Sequence, residues 1–473
     1  MLQLVPGIGH SNLNRHMAQD SINPASGDRF ATFAELDETG IDKRLRVAHT
    51  AFEAWRDVPS QRRAALVSAI ADQLDARREE LATLAVREMG KTLRSARDEV
   101  AKCALACRHY AARAPSLLAP EAIQSDGSIA GHIRYDPIGL VLAVMPWNFP
   151  YWQVIRAAAP AIAAGNGVVL KHASNVPQCA TAIESLITEA GAPAGLFSTL
   201  LISAAQVGAV IDDPRIAAVT LTGSEAAGRS VASRAGATLK KSVLELGGSD
   251  PFIVLASADV QKAAAAAVQA RTVNNGQSCI AAKRFIVVEQ VAGEFISGFV
   301  AGMRALVVGD PMDEGTQLGP LATPAIREEL HQQVESTRAR GARVLLGGAP
   351  RSGRGFYYEP TVLTEVPPDT AAARDELFGP VAPVFVVPDA DAALALANST
   401  HFGLGASVWT RDGKEADAFT ARIQAGLVFV NAIVASDPRF PFGGIKRSGY
   451  GRELGVVGLR EFVNIKTVRG SAV

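Results

Sequence analysis

Cysteine is scarce in this sequence, with 4 in 473 residues, and charge of neither sign dominates, with 47 Lys+Arg against 47 Asp+Glu. So few thiols in so long a chain cannot form the dense disulfide framework of a small secreted domain, and a reducing compartment is expected. Balanced charge leaves no electrostatic footprint for a basic nucleic-acid binder. Residues 1–20 lack a positively charged start followed by an apolar stretch, so no secretory signal is read there and a cytoplasmic location is expected. The longest uncharged run, 137–155, would nearly span a bilayer at about 20 residues per membrane helix, but Pro137, Pro146 and Pro150 interrupt it. It reads as a buried strand followed by an irregular loop.

Familiar chemical motifs are missing as well. Met89-Gly90-Lys91-Thr92 ends like a phosphate-binding loop, but position 85 is alanine and the preceding residues look helical. Gly165-Asn166-Gly167 begins a dinucleotide fingerprint, yet Leu170 stands in place of its third glycine. Cys103 and Cys107 are one helical turn apart with no further Cys/His pair to complete a zinc set, so they read as core. No H-E-x-x-H and no G-x-S-x-G occurs, which removes the main support for metal hydrolysis and for serine-nucleophile chemistry; no metal is expected.

What is present is α/β patterning. Residues 41–112 are rich in Ala, Leu, Arg and Glu at helical spacing, and no proline occurs from 60 to 113, which predicts long amphipathic helices. From Gly139 onward short β-rich runs (GLVLAVM, GVVLK, AAVTLTG, FIVL, RFIVV, then ARVLLGG, PVFVV, ASVWT and GLVFVN) alternate with helical segments, as in parallel sheets with crossover helices. The length suggests about three domains.

Three segments carry candidate chemistry. Cys279 follows Val273-Asn274-Asn275-Gly276-Gln277-Ser278, a polar setting suited either to an accessible nucleophile or to a plain loop. Glu245, between Leu244 and Leu246 and before Gly247-Gly248, is either a solvent-facing strand residue or a desolvated general base. Asn148, in Met145-Pro146-Trp147-Asn148-Phe149-Pro150, either caps the helix that follows or is a rigid donor to an oxyanion.

Together with Glu376-Leu377-Phe378-Gly379-Pro380 and Pro441-Phe442-Gly443-Gly444, taken in this order, these segments resemble the NAD(P)-dependent aldehyde dehydrogenase superfamily. The resemblance runs from about Ile22-Asn23-Pro24 to the C-terminal segment, and its substrate-side residues are most similar to those of succinate-semialdehyde dehydrogenases. It implies that Cys279 attacks the aldehyde carbon, that Asn148 and the Cys279 N–H hold the oxyanion, and that Glu245 activates the water that releases the acid. It also implies that Gly223 and Ser224 lie against the pyrophosphate of the cofactor, and Lys171, Ala173 and Ser174 at the adenine ribose. Glu376 and Phe378 would lie near the nicotinamide ribose, with Met145, Pro146, Trp147 and Leu246 completing the cofactor site.

Arg156, eight residues after Asn148, and Ser436 match substrate-side positions that would bind an ω-carboxylate, while Val273 stands where some relatives carry another arginine. Ser174 replaces the glutamate that NAD-selective relatives place at the ribose hydroxyls, so NADP is expected to serve at least as well as NAD. Ser203-Ala204-Ala205-Gln206 replaces the glycine-rich turn of many relatives. The implied fold has a variant Rossmann cofactor domain (1–118 and 138–246), an α/β catalytic domain (247–446) and a small β oligomerisation element (119–137 and 447–473) that would join a homodimer or homotetramer. The alternatives are a broad-specificity enzyme, a CoA-acylating aldehyde dehydrogenase, against which Glu245 argues, or a catalytically silent homologue, against which the retained set of site residues argues.

Overall fold

The computed structural model describes residues 18–123 and 131–469. The expected run of helices appears as Glu38–Trp55, Ser60–Ala76, Arg78–Met89 and Leu93–Leu117. Thr92 caps the last of these, its Oγ1 accepting from Ser95 N at 3.3 Å. Cys103 and Cys107 are buried in the core these helices form. Gly90, in the apparent phosphate loop, instead ends a helix with a left-handed φ of 83°, and Lys91 is buried in an ion pair with Glu99.

A six-stranded sheet has the order Gly449–Tyr450, Lys241–Glu245, Ile216–Thr222, Leu140–Met145, Gly167–His172, Phe197–Thr199. All its pairings are parallel except that of the two-residue strand Gly449–Tyr450, which runs antiparallel to Lys241–Glu245. That short strand falls within the segment assigned above to oligomerisation, yet it extends this sheet; two residues are too few for periodicity to register. The helix Trp152–Ala164 joins Leu140–Met145 to Gly167–His172 and is buried at every position. Apart from Gln153 and Arg156 its side chains are apolar on every face, as suits a core helix, and it packs against Leu93–Leu117.

A second, seven-stranded sheet has the order Arg343–Leu346, Thr361–Thr364, Val381–Val387, Ala282–Val288, Asp250–Val254, Gly405–Trp409, Leu427–Val430, parallel except at the first pair. Its core is aromatic: the Phe285 and Phe299 centroids lie 4.6 Å apart, and Phe252 stacks on Trp409 at 5.3 Å. A third sheet is antiparallel, Val463–Arg469 against Gly131–Pro137 against Glu121–Ile123. The turn of the expected hairpin at 119–137 lies partly outside the described residues, as do the end of 447–473 and most of residues 1–20. No helix among the described residues is long and apolar enough to cross a membrane.

Candidate active site

In open parallel sheets ligands bind beyond the carboxyl ends of the strands, where the strand order reverses. Here that point lies between Leu140–Met145 and Ile216–Thr222. The register sets Val144 beside both Lys171 and Leu221, and Thr222 beside Glu245, so the Asn148 and Glu245 segments emerge from one end of this sheet, while Cys279 lies just before the strand Ala282–Val288 of the other. Two cavities open there. One, of about 500 Å³, is lined by Pro146, Trp147, Asn148, Gly223, Ser224, Leu246, Glu376 and Phe378. The other, of about 520 Å³, is lined by Lys102, Phe149, Trp152, Arg156, Val273, Ser436 and Phe442 among others. Cys279 is the residue that lines both.

The loop before Cys279 takes an uncommon backbone. Asn274, Asn275 and Gly276 have φ of 55°, 59° and 77°, the left-handed region that Asn and Gly tolerate best. Side-chain hydrogen bonds hold it there. Asn274 Nδ2 donates to Asn148 O at 2.7 Å, Asn275 Nδ2 to Gly90 O at 2.8 Å, and Arg271 Nη2 to Gly276 O at 2.6 Å. Lys283 Nζ donates to the carbonyls of Ser278 and Cys279 at 2.8 and 2.6 Å. A Cβ on Gly276 would come within 2.4 Å of the Gly379 backbone, so this loop and the Glu376–Pro380 segment are pressed together.

Burial pushes the Cys279 thiol up to about 12, against the opposing pull of Lys283 and Arg156. The resting sulfur is therefore protonated. Iodoacetamide inactivation of the cofactor-free protein should keep rising about tenfold per pH unit through pH 9, since only thiolate reacts; a plateau below pH 8 would contradict this environment.

Asn148 is buried, and its Nδ2 donates to Gln277 O at 3.0 Å, leaving the second amide hydrogen for another acceptor. It does not cap the following helix. Glu99 does so from the long helix, its Oε1 accepting from Tyr151 N and Trp152 N at 2.8 Å each. The Cys279 N–H has no acceptor among the described residues.

Glu245 is 2% exposed, and neither carboxylate oxygen has a hydrogen-bond partner among the described residues. It lines neither cavity in this conformation. Its carboxylate lies against Gly443, where a Cβ would come within 2.6 Å of Oε1. Burial raises its pKa well above the carboxylate range, as does the neighbouring Glu453, while Arg156 and Arg452 oppose the rise. Arg156 is on the helix Trp152–Ala164, as its spacing from Asn148 predicts, and it is buried rather than on the surface. Arg156 lines the second cavity together with Ser436 and Cys279, and its guanidinium is also ion-paired with Glu453, donates to Thr222 Oγ1 at 3.2 Å and lies over the Phe442 ring. It balances buried carboxylates.

On the cofactor side, Ser224 caps the helix Glu225–Ala237 through Ala227 N at 3.3 Å, so the helix begins at the cavity wall. Trp147 and Phe378 meet edge to face at 5.7 Å. Glu376 Oε1 accepts from Gly248 N at 3.0 Å and lies 3.1 Å from Lys283 Nζ. Met145 is buried, at the end of its strand. Lys171, Ala173 and Ser174 lie at the end of the next strand, outside both cavities, with Lys171 buried and Ser174 exposed. Glu35, unremarked in the sequence, is the carboxylate that acts on Lys171. Ser203 and Gln206 form a reciprocal capping box, and Gln206 reaches Leu36 O at 3.0 Å.

Residues 12–468 match the aldehyde dehydrogenase family. The chain is 50% identical over 450 residues to the Mycobacterium tuberculosis (strain ATCC 25618 / H37Rv) protein named succinate-semialdehyde dehydrogenase NADP(+) 1, covering 95% of this chain and 98% of that one. It is 50% identical over 454 residues to the Mycobacterium leprae succinate-semialdehyde dehydrogenase NADP(+), covering 96% and 99%. The crystal structure of succinic semialdehyde dehydrogenase from Streptococcus pyogenes in complex with NADP+ superimposes with a TM-score of 0.94 at 36% identity, over 96% of this chain and 100% of that one. Sequence, fold and the two cavities meeting at one cysteine agree: this chain belongs to the aldehyde dehydrogenase family.

Proposed function

We propose that the protein oxidises succinate semialdehyde to succinate with NADP, and also with NAD. The observation that carries this reading is Cys279 on the wall between a cavity fitted to a dinucleotide and one that holds cationic and hydroxyl side chains. The names of the relatives support the substrate and the cofactor.

The donor set of the first cavity fits a dinucleotide. The N–H groups at the start of Glu225–Ala237, with Gly223 and Ser224, suit the pyrophosphate. Glu376 suits ribose hydroxyls, and Trp147, Phe378 and Leu246 form an apolar wall. Pro146 adds to that wall just after the buried Met145, and Lys171, Ala173 and Ser174 would hold the adenine end. When bound, the nicotinamide supplies the acceptor for the hydride.

Cys279 Sγ loses its proton to solvent water in the cavity and forms a C–S bond to the aldehyde carbon, whose C=O π pair moves to oxygen to give an oxyanion. The free Asn148 amide hydrogen and the unpartnered Cys279 N–H receive it. After hydride loss the Cys279 thioester is cleaved by water whose proton Glu245 takes, restoring the thiol and releasing the carboxylic acid. Glu245 must first turn from Gly443 toward the sulfur.

We also read 1–118 and 138–246 as the cofactor domain, 247–446 as the catalytic domain, and 119–137 with 447–473 as an oligomerisation element of a cytoplasmic homo-oligomer. Ile465, 60% exposed on the edge strand Val463–Arg469, supports that pairing.

Reduced-nicotinamide absorbance with a panel of aldehydes, both cofactors, and CoA present or absent tests the activity. Succinate semialdehyde should be the best substrate and CoA without effect; a CoA requirement would favour acyl transfer to thiol. For cofactor choice, Ser174→Glu should lower kcat/KM for NADP about tenfold or more relative to NAD, since a carboxylate repels the 2′-phosphate. An unchanged ratio would remove Ser174 from the adenine end.

A further inference from the structure

Lys283, on the strand Ala282–Val288, is 1% exposed and lines neither cavity. Burying an ammonium is costly unless it is paired and hydrogen-bonded, and an apolar side chain would fill the same space without that cost. Its Nζ donates to Ser278 O at 2.8 Å and to Cys279 O at 2.6 Å, and lies 3.1 Å from Glu376 Oε1. These acceptors match the three N–H donors of an ammonium, and Ala281 O is a more distant fourth at 3.3 Å. The first two carbonyls belong to the peptide groups on either side of the Cys279 Cα. A trans peptide is planar with its C=O and N–H on opposite sides, and no cis peptide bond occurs among the described residues. Holding Ser278 O toward Lys283 therefore turns the Cys279 N–H away from it. Holding Cys279 O as well fixes both backbone planes from which the Cβ and Sγ project.

We propose that Lys283 is a positioning residue, which aims the Cys279 N–H at the oxyanion and strengthens it as a donor while touching neither substrate nor cofactor. A cation on a peptide carbonyl polarises the whole amide, so the N–H of that amide becomes the stronger donor. A donor fixed in advance also need not reorient as charge develops on the aldehyde oxygen. The Cys279 N–H is open to that use, having no acceptor among the described residues. Glu376 meets the same ammonium from the wall of the dinucleotide-side cavity and also accepts from Gly248 N at 3.0 Å. One buried side chain thus joins the backbone of the nucleophile to an acid on the cofactor side. Its charge has a separate effect on the sulfur, where Lys283 is the foremost group opposing the rise of the Cys279 pKa.

This proposal rests on the reading of Cys279 as the nucleophile, and the test separates the two. Reduced-cofactor formation in a single turnover, with enzyme in excess over succinate semialdehyde, would be compared with iodoacetamide alkylation for wild type, Lys283→Met and Lys283→Gln, NADP saturating throughout. Both reactions use the same sulfur, but alkylation creates no oxyanion. Lys283→Met should slow the single turnover about 10- to 100-fold more than it slows alkylation at the same pH, a large part of what removing one oxyanion donor costs. Lys283→Gln, whose neutral amide still offers N–H donors, should fall between wild type and Lys283→Met and gives a reading even if Lys283→Met fails to fold. A single turnover within about threefold of wild type in both variants overturns the Lys283 assignment, because a misaimed oxyanion donor costs more than that. Single turnover and alkylation slowed by the same factor overturn it too, since Lys283 would then act on the charge of the sulfur alone. A wild type that forms no reduced cofactor with any aldehyde overturns the reading of Cys279 itself.

Discussion

Replacing Cys279 by alanine is expected to reduce aldehyde turnover by roughly 10⁴-fold or more, the scale seen when a covalent nucleophile is removed, while dinucleotide binding persists. No other thiol can take over: Cys103, Cys107 and Cys179 are fully buried in the helical core, and burial holds each thiol far up its pKa scale. Neither cavity is lined by any of them. Binding should survive because Cys279 is a single residue of a cofactor-side wall that Trp147, Gly223, Glu376 and others also line. Quenching of Trp147 fluorescence on titration with NADP would report it. Turnover within tenfold of wild type would remove Cys279 from the chemistry.

The second large effect is expected from Glu245→Gln. Acylation does not need the carboxylate, so one equivalent of reduced cofactor per site should still form in a rapid burst, followed by a steady state about 10²–10⁴-fold slower, the usual contribution of a general base. The pH profile gives a second readout. Burial and Glu453 raise the Glu245 pKa, so the carboxyl is neutral at low pH and gains base strength as pH climbs through that raised value. Wild-type deacylation should therefore rise with pH, and the glutamine variant should lose that rise. Loss of the burst itself would show that Glu245 acts earlier. Because Arg156 faces both Glu245 and Glu453, the carboxyls share one cation, and Glu453 must stay in place for the profile to hold.

Much of the centre is legible because its chemistry is written in short contiguous segments. The MPWNFP and LELGG stretches each end or follow a strand of the six-stranded sheet, GQSC leads into the strand Ala282–Val288 of the other sheet, and it is the family resemblance of the segments taken together that groups Asn148, Glu245 and Cys279. Gly276 against the backbone of Gly379 adds a physical reason why the cysteine loop and the Glu376–Pro380 segment occur together. What stays hidden depends on packing between distant segments. Lys102 sits in a helix whose sequence gives no sign that one turn meets Ser436, 334 residues away. Glu453 is an ordinary loop acid until the helix carrying Arg156 packs beside it. The Glu99 cap is equally invisible, because the donors it satisfies belong to another helix 52 and 53 residues later.

The two cavities that share Cys279 also set the traffic of the reaction. A chamber already filled by dinucleotide does not stand between the sulfur and the aldehyde side, so an acid can depart, and a fresh aldehyde arrive, without passing the nucleotide. Exchange of the carbon compound and exchange of the redox partner are thereby separate events. Small electrophiles that resemble aldehydes retain a route to the sulfur even when the dinucleotide side is saturated.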